Sequence, residues 1–200
     1  PGGRLMSRPR LLLTRPEPQS RAFAEMAQER FGADLEAVIS PLLRIEHLPL
    51  TRDPAGFDGL VFTSRNGVAA FAAASDLRDM TAWCVGDATA RAAAAAGPAG
   101  PRITEAILYE QHPQPLTSAA RAALSGTTPL LLPLFSPRSA GLIAPEIANA
   151  NAPLHIAAMS PAVVEALPLQ ARGGAVTAPT PDAEGMLRAL AELLQRVKSA

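Results

Sequence analysis

The chain has 200 residues, 48% of them hydrophobic, with 18 basic and 18 acidic side chains and no net charge at pH 7. That length and apolar content suffice for one ordinary domain or two small ones, and the even charge gives no footing for nucleic-acid binding. The single cysteine, Cys84, excludes an internal disulfide and a multi-cysteine metal site, and an aromatic content of 4% leaves no stacking stripe for single strands.

His47, His112 and His155 are far apart and lack metal-ligand spacing. No metal and no cofactor is expected. No apolar run reaches membrane-spanning length and no signal peptide is visible, so a cytoplasmic protein without membrane contact is expected. Met6 stands where a natural start would lie, and residues 1–5 are left out of the fold reading. Seventeen of the basic residues are Arg, and Lys198 is the sole Lys. Compositional bias explains this; the alternative is that some guanidinium forks hold carboxylates.

In chain order, Arg10–Leu13 reads as a buried strand stopped by Pro16 and Pro18, followed by a helix over 20–30 with Gly32 as its C-cap. A short strand is predicted at 38–41. From 43 to 48 apolar and polar residues alternate, as in an exposed strand or a linker. Phe57–Ser64 is a strand ending in a hydroxyl pair, and Ser64 caps a helix over 65–74. Strand 82–85, where Cys84 is expected as a buried thiol, turns at Gly86-Asp87 into a helix over 88–96. Ala106–Tyr109 is the next strand and 116–124 the next helix. Strands 129–135 and 154–159 each run into Ser-Pro, Ser136-Pro137 and Ser160-Pro161, a favoured helix start. A short strand at 175–177 precedes a closing helix over 183–197 capped by Asp182. Alternating strands and helices imply parallel sheets with helical crossovers, an α/β fold.

Two stretches read alike. Leu60–Asn66 parallels Leu132–Arg138, and Trp83–Ala88 parallels Ala157–Ala162. One strand-cap-helix-strand-cap-helix unit thus occurs twice, which predicts two similar lobes. Ligands of open α/β sheets bind beyond the carboxyl ends of the strands, where free N–H groups and the positive helix end attract anions. Thr63, Ser64, Gly86, Ser136 and Ser160 fall at such ends, with Arg15, Arg65 and Arg138 beside them. Capping alone explains any one of these hydroxyls. Together they suggest an anion-binding cleft between the lobes. No dinucleotide fingerprint, phosphate-binding loop, nucleophile elbow or zinc motif is present, so an enzyme here would work by holding its substrate.

Several segments resemble the uroporphyrinogen-III synthase family. They are Leu11-Leu12-Leu13-Thr14-Arg15-Pro16; Phe57-Asp58-Gly59-Leu60-Val61-Phe62-Thr63-Ser64; Val85-Gly86-Asp87-Ala88-Thr89-Ala90; Leu134-Phe135-Ser136-Pro137-Arg138; and Ala178-Pro179-Thr180-Pro181-Asp182. The resemblance implies two α/β lobes with parallel sheets, one of 6–41 plus 113–200 and one of 50–104, joined by two extended linkers, 42–49 and 105–112. It implies a cofactor-free lyase that closes linear hydroxymethylbilane into uroporphyrinogen III with loss of water and inversion of the terminal ring. Implied too are a monomer and a transient contact with hydroxymethylbilane synthase; the alternative is a non-catalytic relative that binds tetrapyrroles or other polyanions.

Tyr109, the sole tyrosine, matches the second-linker tyrosine suspected as a proton donor in that family. Arg15, Thr63, Ser64, Arg65, Gly86, Ser136, Arg138 and Ser160 are the implied substrate contacts. The resemblance also implies a further strand and helix near 97–103, where this sequence runs Gly97-Pro98-Ala99-Gly100-Pro101-Arg102 straight on.

Overall fold

The computed structural model describes residues 8–62, 64–77, 79–84 and 106–199, without the side chains of Arg65 and Cys84. The predicted burial of Cys84, the helix over 88–96 and the 97–103 stretch lie outside them. The chain divides into two compact units, Pro1–Arg44 with Pro113–Ala200, and Ile45–His112.

The larger unit is built on β1 (Arg10–Leu13), β2 (Glu36–Ile39), β7 (Leu130–Leu134), β8 (Leu154–Ala158) and β9 (Val176–Thr177), in the order β2-β1-β7-β8-β9. All four neighbouring pairs are parallel. Successive side chains of a strand point to opposite faces, and here both faces are dry. Leu12, Leu130, Leu132, Leu134, Ile156 and Ala158 pack on one side with α3 (Ser118–Ser125) and α4 (Pro137–Ile147). Leu11, Leu13, Leu131 and Ala157 pack on the other with α1 (Glu17–Phe31) and α7 (Ala183–Ser199). This is why these strands read as unbroken apolar runs.

Pro133 sits inside β7 without breaking it. Leu130 N–H reaches across to the Pro153 carbonyl beside β8. Alternate residues point their N–H the same way, so the position of Pro133 faces β1, whose pairing with β7 involves Arg10 and Leu11.

Helix α1 begins three residues earlier than predicted. Pro16 is its N-cap and Pro18 lies in the first turn, where a missing N–H costs nothing. Ser20 is buried inside that turn, and its hydroxyl donates to the Arg15 carbonyl at 2.8 Å. The helix ends on Gly32 at φ +57°, a left-handed position suited to glycine. Two short helices, α5 (Pro161–Glu165) and α6 (Leu169–Arg172), follow β8.

In the smaller unit β4 (Leu60–Phe62) pairs in parallel with β5 (Ala82–Cys84), and α2 (Arg65–Ala74) follows β4. Ala70 and Phe71 are its buried residues, and Phe71 meets Phe62 edge-on at 5.6 Å.

The alternating segment near 43–48 forms β3 (Leu43–His47), which pairs with β6 (Tyr109–Pro113). Leu48 N–H donates to the Leu108 carbonyl and Gln114 N–H to that of Leu42, so the two strands run antiparallel. The apolar run Ala106–Leu108 was predicted as strand, yet the strand starts at Tyr109, and Ile107 is 75% exposed. Pairing with β3, rather than apolarity, sets where this strand lies. Among the described residues no helix is long and apolar enough to cross a membrane.

Candidate active site

In the smaller unit the candidate site starts from a helix cap. The chain leaves β4 extended at Ser64 (φ −153°, ψ 155°) and then turns helical. The Ser64 hydroxyl oxygen accepts the Gly67 N–H at 3.0 Å, satisfying one of the orphan donors of the first turn of α2. The same oxygen lies 2.9 Å from the Tyr109 hydroxyl. The predicted catalytic phenol and a predicted substrate-binding serine, 45 residues apart, thus meet at the carboxyl end of a parallel strand.

Both are half-buried. On β6 the next residues alternate faces, so Glu110 and His112 point away from the side that carries Tyr109. His112 Nε2 lies 3.2 Å from a Glu46 carboxylate oxygen and 3.5 Å from one of Glu110.

In the larger unit the strand order reverses between β1 and β7. Beyond their carboxyl ends lies the crevice where open α/β sheets take their ligands. Thr14 and Arg15 leave β1 there, and Phe135 and Ser136 leave β7. The Arg15 guanidinium sits 4.3 Å from the centroid of the Phe135 ring, and that ring meets Phe23 edge-on at 5.0 Å. The ring face attracts the cation, and a guanidinium fork can meet a carboxylate bidentately.

Ser136 repeats the Ser64 cap at φ −150° and ψ 151°, accepting the Ser139 N–H at 3.1 Å. Its own proton goes to the Ser139 hydroxyl at 3.0 Å, so capping absorbs most of its hydrogen-bonding capacity. Arg138 is exposed on the first turn of α4.

Ser160 differs from the expected copy. Its side chain makes no cap bond, because the Val163 N–H bonds the Ser160 backbone carbonyl at 3.0 Å in a tight turn. Thr63, Gly86 and the Arg65 side chain lie outside the described residues. Sequence reasoning missed Ser20, Phe135 and Ser139. Ser20 was read as a helix start rather than as the anchor of the Arg15 loop, and the sign for Phe135 was an aromatic directly before a predicted cap. Among the described residues no group of three or more His, Cys, Asp or Glu could hold a metal ion.

The smaller unit offers a hydroxyl donor backed by a second hydroxyl at a capped helix N-terminus, and the larger unit, by itself, a guanidinium over an aromatic ring and a capped helix N-terminus. Such groups suit the binding of carboxylates and the delivery of one proton.

Residues 24–100 match the family model described as Uroporphyrinogen-III synthase HemD. No curated protein sequence matches the chain. Among solved structures, uroporphyrinogen-III synthetase from Helicobacter pylori superposes with a TM-score of 0.55 at 16% identity, over 93% of this chain and 99% of that one. A mutant uroporphyrinogen III synthase from the extreme thermophile Thermus thermophilus gives 0.53 at 14% identity, over 94% and 99%. The resemblance to the uroporphyrinogen-III synthase family is thus borne out by the family model over residues 24–100, and the two solved structures share the fold over nearly the whole chain.

Proposed function

We propose that this chain is a uroporphyrinogen-III synthase that converts hydroxymethylbilane to uroporphyrinogen III, with Tyr109 as its proton donor. The observation that carries the site assignment is the 2.9 Å contact between the Tyr109 and Ser64 hydroxyls at the N-terminus of α2. A phenol is neutral at pH 7 and has one proton to give. Delivered to the terminal hydroxyl of the substrate, it lets the carbon–oxygen bond break with both electrons leaving on oxygen as water. The electron-poor methylene left behind is attacked by the substituted carbon of the far ring. The spiro intermediate rearranges, and the ring closes inverted. A ring carbon then sheds a proton as aromaticity returns, which balances the one Tyr109 gave.

The remaining work is positioning. Uncatalysed closure gives the uninverted isomer, so the protein must hold one bent conformer and exclude the other. Holding reactants in a near-attack geometry is worth about 7–11 kcal/mol in well-oriented systems, and no cofactor is needed. Each unit has strand-end groups suited to the substrate's carboxylates: the α2 N-terminus in one, and Arg15 with the α4 N-terminus in the other. The proposal extends to a monomer in the cytoplasm that receives its substrate from hydroxymethylbilane synthase.

A coupled assay starting from porphobilinogen and its deaminase tests this reading. Added protein is expected to turn the product from the uninverted to the inverted isomer; formation of the uninverted isomer alone would reject it.

A further inference from the structure

Ser64 has more to do than end a helix. Its hydroxyl oxygen has two lone pairs and one proton. One lone pair takes the Gly67 N–H at 3.0 Å, and the Tyr109 oxygen lies 2.9 Å away. Two arrangements satisfy these distances. If Tyr109 donates to Ser64, both serine lone pairs are filled and the phenolic proton is spent inside the protein. If Ser64 donates to Tyr109, the serine proton is used, the phenol oxygen accepts, and the phenolic proton is left to point at a substrate.

We propose that Ser64 is a positioning residue that donates its proton to the Tyr109 oxygen and so turns the phenolic proton outward. This rests on the reading of Tyr109 as the proton donor. The direction is favoured by the cap. The Gly67 N–H belongs to the first turn of a ten-residue helix, where the positive end of the backbone dipole lies. A donor that itself accepts from such a group is polarised, and bonds in a chain strengthen one another. When Tyr109 gives its proton to the departing hydroxyl, negative charge develops on the phenol oxygen. The Ser64 O–H, already aimed there, stabilises that charge without rearrangement. The proton moves from the Tyr109 oxygen to the leaving oxygen; Ser64 keeps its own throughout.

Tyr109 is the sole tyrosine of the chain, so its ring vibrations can be read without subtraction. The tyrosine doublet in the Raman spectrum reports whether a phenol oxygen accepts or donates. In the wild-type protein it should show an accepting oxygen, in S64A it should lose that character, and in S64T it should recover it.

In the coupled assay S64A is expected to lower kcat about tenfold with little change in KM, the cost of one hydrogen bond in the transition state. S64T should restore most of the rate, and S64A should add nothing to Y109F. Because alanine also removes the helix cap, S64G serves as a second variant, since glycine is tolerated at that position. An unchanged doublet in both S64A and S64G, or an equal loss of rate whether or not the phenol is present, overturns the role of Ser64 alone. Full activity of Y109F overturns the proton-donor reading and this proposal with it.

Discussion

Replacing Tyr109 with Phe removes one oxygen and keeps the ring. Among the described residues that oxygen makes one hydrogen bond, to Ser64 at 2.9 Å, and Ser64 keeps its other partner, Gly67. Net loss of one such bond is worth about 1 kcal/mol, and the half-buried ring retains its packing. For a chain of this size that corresponds to a fall of about 2–4 °C in Tm. A general acid contributes about 100- to 10,000-fold to rate, or at least about 2.7 kcal/mol. Y109F should therefore lose at least about a hundredfold in kcat while remaining folded at 25 °C. The assay is the coupled one, with isomers separated after oxidation and the folded fraction matched by circular dichroism. The residual product should still be the inverted isomer, since the groups that hold the substrate are untouched. A kcat within about threefold of wild type, well short of the general-acid range, would remove Tyr109 from the chemistry.

The two Ser-Pro helix starts should respond differently to truncation. S136A loses a cap and should cost about 1 kcal/mol in urea unfolding, whereas S160A, whose side chain caps nothing, should stay within about 0.5 kcal/mol; equal losses would contradict the geometry. Gly185 should not tolerate a side chain, because an added Cβ would overlap the Thr180 backbone carbonyl at the start of α7. G185A is expected to cost about 3 kcal/mol, and a loss under about 0.5 kcal/mol would show that the turn can shift. Acid sensitivity should arise in part from Asp182. The Gly185 N–H, then the Thr180 hydroxyl, hold its carboxyl below the ordinary value of 3.8. A depressed folded value means that the stabilisation is present above that ordinary value and is lost as pH falls through the folded one. D182N, which keeps an acceptor at the cap, should show a smaller loss of Tm over that window. An identical acid profile would remove Asp182 from the account. His155 acts higher up. Burial, then Arg196, lowers its value from 6.5, so the unfolded chain binds the proton more readily and stability declines as pH drops below 6.5.

Much of the architecture can be read in the residues because strand identity follows from local apolarity when both faces are covered. Leu11–Leu13 and Leu130–Leu134 are such runs, and both lie in the middle of the sheet. The N-cap role of Ser64 is equally local, since it depends on a hydroxyl and an N–H three residues on. What failed depended on partners. Ala106–Leu108 is as apolar as a strand, but β6 starts only at Tyr109, and Leu108 joins the pairing through its carbonyl alone. Ser160-Pro161 and Ser136-Pro137 are the same dipeptide. Whether the hydroxyl caps depends on the N–H at the third helical position: Ser139 N–H is available for the hydroxyl, while Val163 N–H is taken by a backbone carbonyl. The Ser64–Tyr109 contact spans 45 residues and has no local sign beyond a capping serine in one segment and a lone tyrosine in another.

The backbone bond from Gln114 N–H to the Leu42 carbonyl, 2.8 Å long, closes the larger unit where the smaller one is inserted. On the ribosome the smaller unit emerges whole while β1 and β2 still wait for β7, so β1 spends part of synthesis without one of its two neighbours. Joining Leu42 to Gln114 through a short glycine-bearing turn would yield a five-stranded miniature whose chain order matches its contacts far more closely. It should fold faster than its parent, because the loop that must close before β1 meets β7 would be shorter by the length of the excised unit.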